Sequence, residues 1–329
     1  MTAVILNTLS PVFLVVLLGA TLRGTGFVTE RFSTDLNRFV FWVSLPVFLF
    51  MSIMESEFVD GSLTAAATMV CATLAVAAIS WFGAPLFGIS ARARGTFCQS
   101  VFRSNNAYVG LPVILFAYAG ESAETIASIR ALAALALAPC LILYNVLAVI
   151  VLMPNEVGAF DGDGQAAAPA RIRIPVRRLL RGFAHNPLIV ACVAGSVALL
   201  CKQKTGLELP EFLSRTLHQI GSLAGPGALF ALGGSLTPQR LRSALRGAHV
   251  VAALKLVVCP LLGALFAWLF QLGPDARFVA LAYLTCPTAV ASFVMAQAMK
   301  GDDVLAGGAV ALTTLYSVPA LAVLLALTR

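Results

Sequence analysis

The sequence predicts an all-α membrane protein: ten transmembrane helices in two inverted five-helix repeats, with helices 4 and 9 broken where they cross near the midplane. Three observations predict it: an apolar composition, a one-sided distribution of basic residues and an internal repeat. Of 329 residues, 59% are hydrophobic and 11% charged, with a mean hydropathy of +0.91. Soluble domains are roughly 45–50% apolar. Runs such as "HVVAALKLVVCPLLGALFAWLF" are long enough to cross a hydrocarbon core of ~30 Å as helix. Barrel strands would be shorter and would alternate in polarity, which these runs do not.

Apolar runs bounded by charge, Gly or Pro place the helices at 4–22, 36–54, 63–88, 96–119, 125–153, 187–202, 211–236, 246–271, 277–299 and 303–327. Helix 1 begins at Ala3 with no preceding positive charge and is followed by Arg23. That order is the reverse of a signal peptide, so it reads as a retained helix. Helices 1–5 fill residues 1–153, and helices 6–10 fill 187–329. Between them, 154–186 reads as a cytoplasmic linker, flexible through "GAFDGDGQAAAPA" and then basic through "RIRIPVRRLLRGF", which suits a surface segment against anionic lipid. The Asp-Asp pair in "KGDD" suits the cap of helix 10.

Sorting Lys and Arg by connection tests the count of helices. Fourteen of the 22 basic residues fall after helices 1, 3, 5, 7 and 9, and six fall on the opposite side. The richer side is expected to face the cytoplasm, which places both termini outside a cell inner or plasma membrane. The net charge of +7 therefore reflects membrane insertion, and no nucleic acid partner is expected.

The repeat appears on sliding the chain by 176–181 residues, which sets Pro11 and Gly19 on Pro187 and Gly195. It also sets Pro46, Leu49 and Phe50 on Pro226, Leu229 and Phe230. An odd number of helices per repeat makes the second copy insert upside down, the plan of many secondary transporters.

Helix 4 contains "FRSNNAYVGLP", and the slide places Thr285–Ala289 of helix 9 opposite Ser104–Tyr108. Pro287 removes a helix donor, while Gly110 and Pro112 weaken helix 4 just beyond its asparagines. Pro46 and Pro226 mark a second matched pair of expected breaks. Unpaired backbone groups cost several kcal/mol in lipid, so such breaks belong in the protein centre or a wet cavity. Half-helix N-termini there favour an anion, and Asn105 and Asn106 could bind its carboxylate, with Ser104, Tyr108 and Thr288 adding hydroxyls. The same asparagines could instead satisfy broken backbone or join helices. Arg103 and Lys255 are the basic residues placed well inside spans; either they snorkel to the cytoplasmic edge or they point inward and attract an anion.

No Asp or Glu falls in the middle of a predicted span, which disfavours cation exchange. The seven cysteines show no Cys-x-x-Cys spacing, and neither His-Glu-x-x-His nor Gly-x-Ser-x-Gly occurs. An enzyme is not expected, and nothing calls for a cofactor or a metal.

At these residues the chain resembles the auxin efflux carrier family. "NRFVFWVSLP" (Asn37–Pro46) is similar to the family's helix 2 motif, and Ser44 within it joins the candidate site. "NNAYVGLP" matches the helix 4 crossover through Asn105, Gly110 and Pro112, and "PTAVASFVMA" the helix 9 crossover through Pro287, Phe293, Val294 and Ala296. The resemblance implies a scaffold of helices 1, 2, 6 and 7 and a moving transport domain of helices 3–5 and 8–10. It implies elevator-type transport of a small organic anion of the malonate or malate kind, with Asn105 meeting a carboxylate. Whether a proton or a sodium ion couples to it is left open, as is a homodimer. A sodium-coupled symporter of the bile-acid type and a non-transporting anion sensor are the alternatives. The linker is far shorter than in many plant members, and Leu49 replaces a serine of the plant motif, so neither loop phosphoregulation nor indole-acid specificity is carried over.

Overall fold

The computed structural model describes residues 14–55, 60–156, 187–206, 209–235 and 245–328, and the regular elements among them are all helical. Pro11 and residues 157–186 of the linker lie outside the described residues. Among the described residues, five helices, Glu30–Met51, Ser62–Phe87, Ala123–Leu152, Arg246–Leu269 and Asp303–Thr328, are long and apolar enough to cross a membrane.

In chain order the first half holds α1 (Leu14–Gly24), α2 (Glu30–Phe39), α3 (Leu45–Met54), α4 (Ser62–Gly83), α5 (Ala91–Phe102), α6 (Leu111–Ala117) and α7 (Ala123–Glu156). The second half holds α8 (Pro187–Thr205), α9 (Glu211–Ser222), α10 (Ala224–Ser235), α11 (Leu245–Ala253), α12 (Cys259–Leu269), α13 (Pro274–Thr285), α14 (Val290–Ala298) and α15 (Asp303–Thr328). Local chemistry sets several starts. Thr29 caps α2 by accepting the N–H of Phe32 at 3.1 Å, Ser90 caps α5 by accepting that of Ala93 at 3.2 Å, and Asp302 caps α15 by accepting that of Leu305 at 2.8 Å. The last of these is the role expected of "KGDD".

Pro46 and Pro112 do not break their helices as expected. Each directly follows the first residue after a wide π turn, Val40–Ser44 before Pro46 and Asn106–Gly110 before Pro112. A third turn, Leu254–Val258, precedes Pro260 in the same way. A helical proline clashes with the carbonyl four residues back, here Trp42, Tyr108 and Leu256, and all three lie inside the widened turns. The closing bonds, from Leu45 to Val40, Leu111 to Asn106 and Cys259 to Leu254, each reach back five positions, so the helix widens without ending. Pro226 also ends nothing. The interruption falls at Leu223, and Pro226 sits in the first turn of α10, where a missing N–H costs no intrahelical bond.

The helices pack in two groups. α3 lies against α8 and α9, and α10 against α2. α4, α5, α7, α12, α13 and α15 pack among themselves, with α11 and α14 on α15. Contacts between the groups run through α3 and α8 on α7 and through the Asn106–Gly110 turn on α10.

Glycines permit the closest approaches. A Cβ on Gly19 would run into the carbonyl oxygen of Phe230, and one on Gly195 would lie 2.9 Å from the carbonyl oxygen of Phe50. Gly19 and Gly195 coincide on sliding the sequence by 176–181 residues, and so do Phe50 and Phe230. Each half therefore lends its glycine to the other half's phenylalanine.

Candidate functional site

The two interrupted helices meet at their interruptions. α5 ends at Phe102, Arg103 is extended (φ −85, ψ 102), and the helix resumes at Asn106. α13 ends at Thr285, Cys286 is extended (φ −62, ψ 150), and α14 starts at Val290. Pro287 explains the second break, since a residue before proline is driven out of the helical region.

No proline marks the first break, which is held by its partner. The N–H of Asn105 donates to the carbonyl of Pro287 at 2.8 Å, and that of Ala289 donates to the carbonyl of Arg103 at 2.9 Å. Ser104 and Thr288 thus face each other as one antiparallel bridge inside a helical protein. The Thr288 hydroxyl donates to the carbonyl of Ser100 at 2.6 Å, and the Thr288 N–H donates to Thr313 Oγ1 at 3.0 Å. Gln99 Nε2 adds a bond to the carbonyl of Ser292 at 2.9 Å. Two unwound segments that would each cost several kcal/mol alone in lipid satisfy one another. The break in helix 4 consequently spans Arg103–Asn105, ahead of Asn106, whereas Gly110 and Pro112 follow inside continuous helix. Gly110 serves packing instead: a Cβ there would stand 2.6 Å from the Tyr283 ring and 2.8 Å from Cys286 Sγ.

Both intramembrane cations point inward. Lys255 has no exposed surface and Arg103 is 4% exposed. The Lys255 ammonium donates to Ser104 Oγ, to the carbonyl of Leu284 at 3.3 Å and to Cys259 Sγ at 3.8 Å. The Arg103 guanidinium donates from Nη2 to Asn145 Oδ1 at 3.0 Å, with Nη1 against the Met295 thioether. Among the described residues neither cation pairs with a carboxylate.

Polar atoms without partners gather at the same place. Asn105 Nδ2, Asn106 Oδ1 and the Tyr108 hydroxyl are buried and make no hydrogen bond, although Asn106 Nδ2 donates to the Tyr144 hydroxyl at 3.4 Å. Such groups are costly unless something completes them. Two helix N-termini, beginning at Asn106 and Val290, add fixed positive ends. An anion's oxygens could accept from Asn105 Nδ2 and the Tyr108 hydroxyl and meet the half-helix ends, whereas Asn106 Oδ1 calls for a donor such as a hydroxyl.

Of the residues singled out from sequence, the crossing unites Arg103, Ser104, Asn105, Pro287, Thr288 and Lys255, with Asn106, Tyr108 and Gly110 on the adjoining turn. Ser44 is not joined to them by any hydrogen bond. Its buried hydroxyl sits without a partner in the Val40–Ser44 turn, which packs against α8, α9 and α10. Asn145 and Tyr144 of α7, with Cys259 of α12, were not singled out. Asn145 had a legible signal, one amide in the apolar stretch "LILYNVLAV"; the other two look like ordinary core residues.

No curated protein matches the chain. A family model described as a membrane transport protein matches residues 4–325, nearly the whole chain. With its crossing of interrupted helices and its apolar spans, this chain belongs to that membrane transport family, the auxin efflux carriers whose motifs it bears.

Proposed function

We propose that this membrane transporter is a secondary carrier of small organic anions, mono- or dicarboxylates such as malonate or malate, working by elevator-type alternating access across a cell inner or plasma membrane. The observation that carries the reading is the pair of buried cations, Arg103 and Lys255, lacking any carboxylate partner among the described residues, at a crossing where Asn105 Nδ2 is buried without a hydrogen bond. Buried charge is expensive unless compensated. A carboxylate entering the crossing would offset that cost, accept from Asn105 and meet the N-terminal end of the half-helix that begins at Asn106 or at Val290.

The packing supports a transport cycle of this kind. α1–α3 with α8–α10 form the scaffold, and α4–α7 with α11–α15 form the moving domain that carries the crossing. In sequence terms the inverted repeats are 1–153 and 187–329, joined by 154–186 on the cytoplasmic side, with ten spans and both termini outside. Reciprocal seating of Gly19 on Phe230 and of Gly195 on Phe50 supports this two-fold plan, as does the bridge between Ser104 and Thr288. The Asn106–Gly110 turn lies against α10, so displacement of the moving domain along the scaffold would carry the asparagines from one face toward the other.

Uptake of labelled malonate and malate into proteoliposomes tests the reading, with and without an imposed pH gradient. Accumulation above empty vesicles is expected for at least one acid. No accumulation of either by folded protein would remove these acids as cargo and favour a sensor.

A further inference from the structure

Lys255 does more than supply charge, and its surroundings say what. An ammonium has three hydrogens to donate, and each has an acceptor: the Ser104 hydroxyl, the Leu284 carbonyl and the Cys259 sulfur. Leu284 belongs to the last turn of α13, where carbonyls lose their helical partners and the dipole presents its negative end. Ser104 is the central residue of the other break. Hydroxyl and carbonyl oxygens at the C-terminal end of a broken helix are the ligands that a hard metal cation takes in ion-coupled carriers. Here an ammonium is already among them, brought in by the wide turn Leu254–Val258 of the continuous α11–α12 passage.

We propose that Lys255 is a tethered cation: bound to Ser104 and Leu284, it fills the place at the crossing where the carbonyl end of α13 would otherwise draw in sodium, so the carrier loads its anion without that ion. The inference rests on the carrier reading above and adds its coupling. A fixed cation stays with the protein through the cycle, so the anion's charge is balanced at loading with no metal to bind or release.

The first test compares wild-type uptake of labelled malonate and malate into proteoliposomes in sodium chloride and in choline chloride. Rates within about twofold of each other are expected. Wild-type uptake that falls to the level of empty vesicles in choline overturns the proposal while leaving the carrier reading intact. In Lys255→Met, whose stem still fills the space, uptake is expected to drop at least about tenfold in both media.

A second readout does not depend on knowing the cargo. Thermal unfolding of the purified protein is followed in sodium chloride and in choline chloride at equal ionic strength. The wild-type midpoint is expected to be the same in both. In Lys255→Ala, which opens the oxygen-lined position, sodium is expected to raise the midpoint by about 3 °C. A sodium-specific rise in the wild type overturns the proposal, and so does a folded Lys255→Ala protein that sodium does not stabilise. If Lys255→Ala does not fold, the wild-type comparison still decides. Absence of uptake for both acids would count against the carrier reading alone, and the unfolding comparison would then decide the role of Lys255.

Discussion

The main-chain N–H of Asn105 donates to the carbonyl of Pro287 across 2.8 Å, while the side-chain Nδ2 of the same residue donates to nothing. Asn105 is therefore fixed in place by a bond that its side chain does not make. Structure and binding can be separated at this position. Asn105→Ala keeps the backbone bond and removes only the free amide, so folded protein is expected in the membrane with a melting midpoint close to wild type. Transport should fall about tenfold to a hundredfold, the worth of one hydrogen bond to a charged ligand at about 1.5–3 kcal/mol. Proteoliposome uptake, paired with size-exclusion of the detergent-extracted protein, makes the comparison. Unchanged uptake would take Asn105 out of the site.

Thr288 presents the opposite case. Its hydroxyl donates to the carbonyl of Ser100 at 2.6 Å, closing an end that α5 leaves open. Thr288→Val has nearly the same shape and orphans that carbonyl inside the protein. A loss of about 1–3 kcal/mol of stability is expected. It should appear as a lower thermal midpoint and poorer recovery of protein, before any effect on affinity is considered.

The contrast between these residues shows what the sequence could convey. Matched interruption of two helices was legible because Pro287 and the asparagine pair break helical patterning at equivalent places. Where helix 4 opens was not legible. Its break at Arg103 to Asn105 is imposed by hydrogen bonds to Pro287 and Ala289, nearly two hundred positions away in the chain, and a local pattern carries no trace of them. Gly110 and Pro112 drew attention to the wrong side of the asparagines, because a π turn lets a helix carry proline where an α-helical ladder would not. Lys255 and Arg103 were ambiguous for a related reason: distance to the membrane edge permits snorkelling, and only packing of α4, α13 and α15 around the crossing decides against it. Asn145 was open to notice as a lone amide in an apolar helix, but its partner was not.

The exchange of glycine contacts between the halves gives a prediction about stability. Gly19 meets the carbonyl of Phe230, and a Cβ on Gly195 would stand only 2.9 Å from the carbonyl oxygen of Phe50. Backbone cannot step aside as a side-chain tip can, so Gly19→Ala and Gly195→Ala should each cost about 1–3 kcal/mol through forced separation of helices. Gly225 in α10 has nothing within 4 Å of its Cβ position. Gly225→Ala should leave stability unchanged or slightly improved. Thermal unfolding of the three variants in one detergent tests this, and equal loss at Gly225 would mean that the damage does not come from the close approaches.

Arg103 supplies the sharpest test of charge, because its partner can be altered without touching it. Asn145 Oδ1 accepts from the guanidinium at 3.0 Å, and Asn145 Nδ2 holds the carbonyl of Leu141 at 2.8 Å. Asn145→Asp is nearly isosteric and places a carboxylate where the amide oxygen stood. A buried pair would form in a geometry already built, at the loss of one bond to Leu141, so stability should stay within about 1 kcal/mol of wild type. The guanidinium would then be neutralised from within and would attract an anion no longer. Uptake is expected to fall at least tenfold, about 1.4 kcal/mol or more of lost attraction, with the fold intact. Asn145→Leu separates the two effects: it removes the guanidinium's amide acceptor, so it should destabilise the protein by about 1.5–3 kcal/mol without adding negative charge. If Asn145→Asp carries anions as the wild type does, the charge of Arg103 is structural and the attraction at the crossing comes from Lys255 and the half-helix ends.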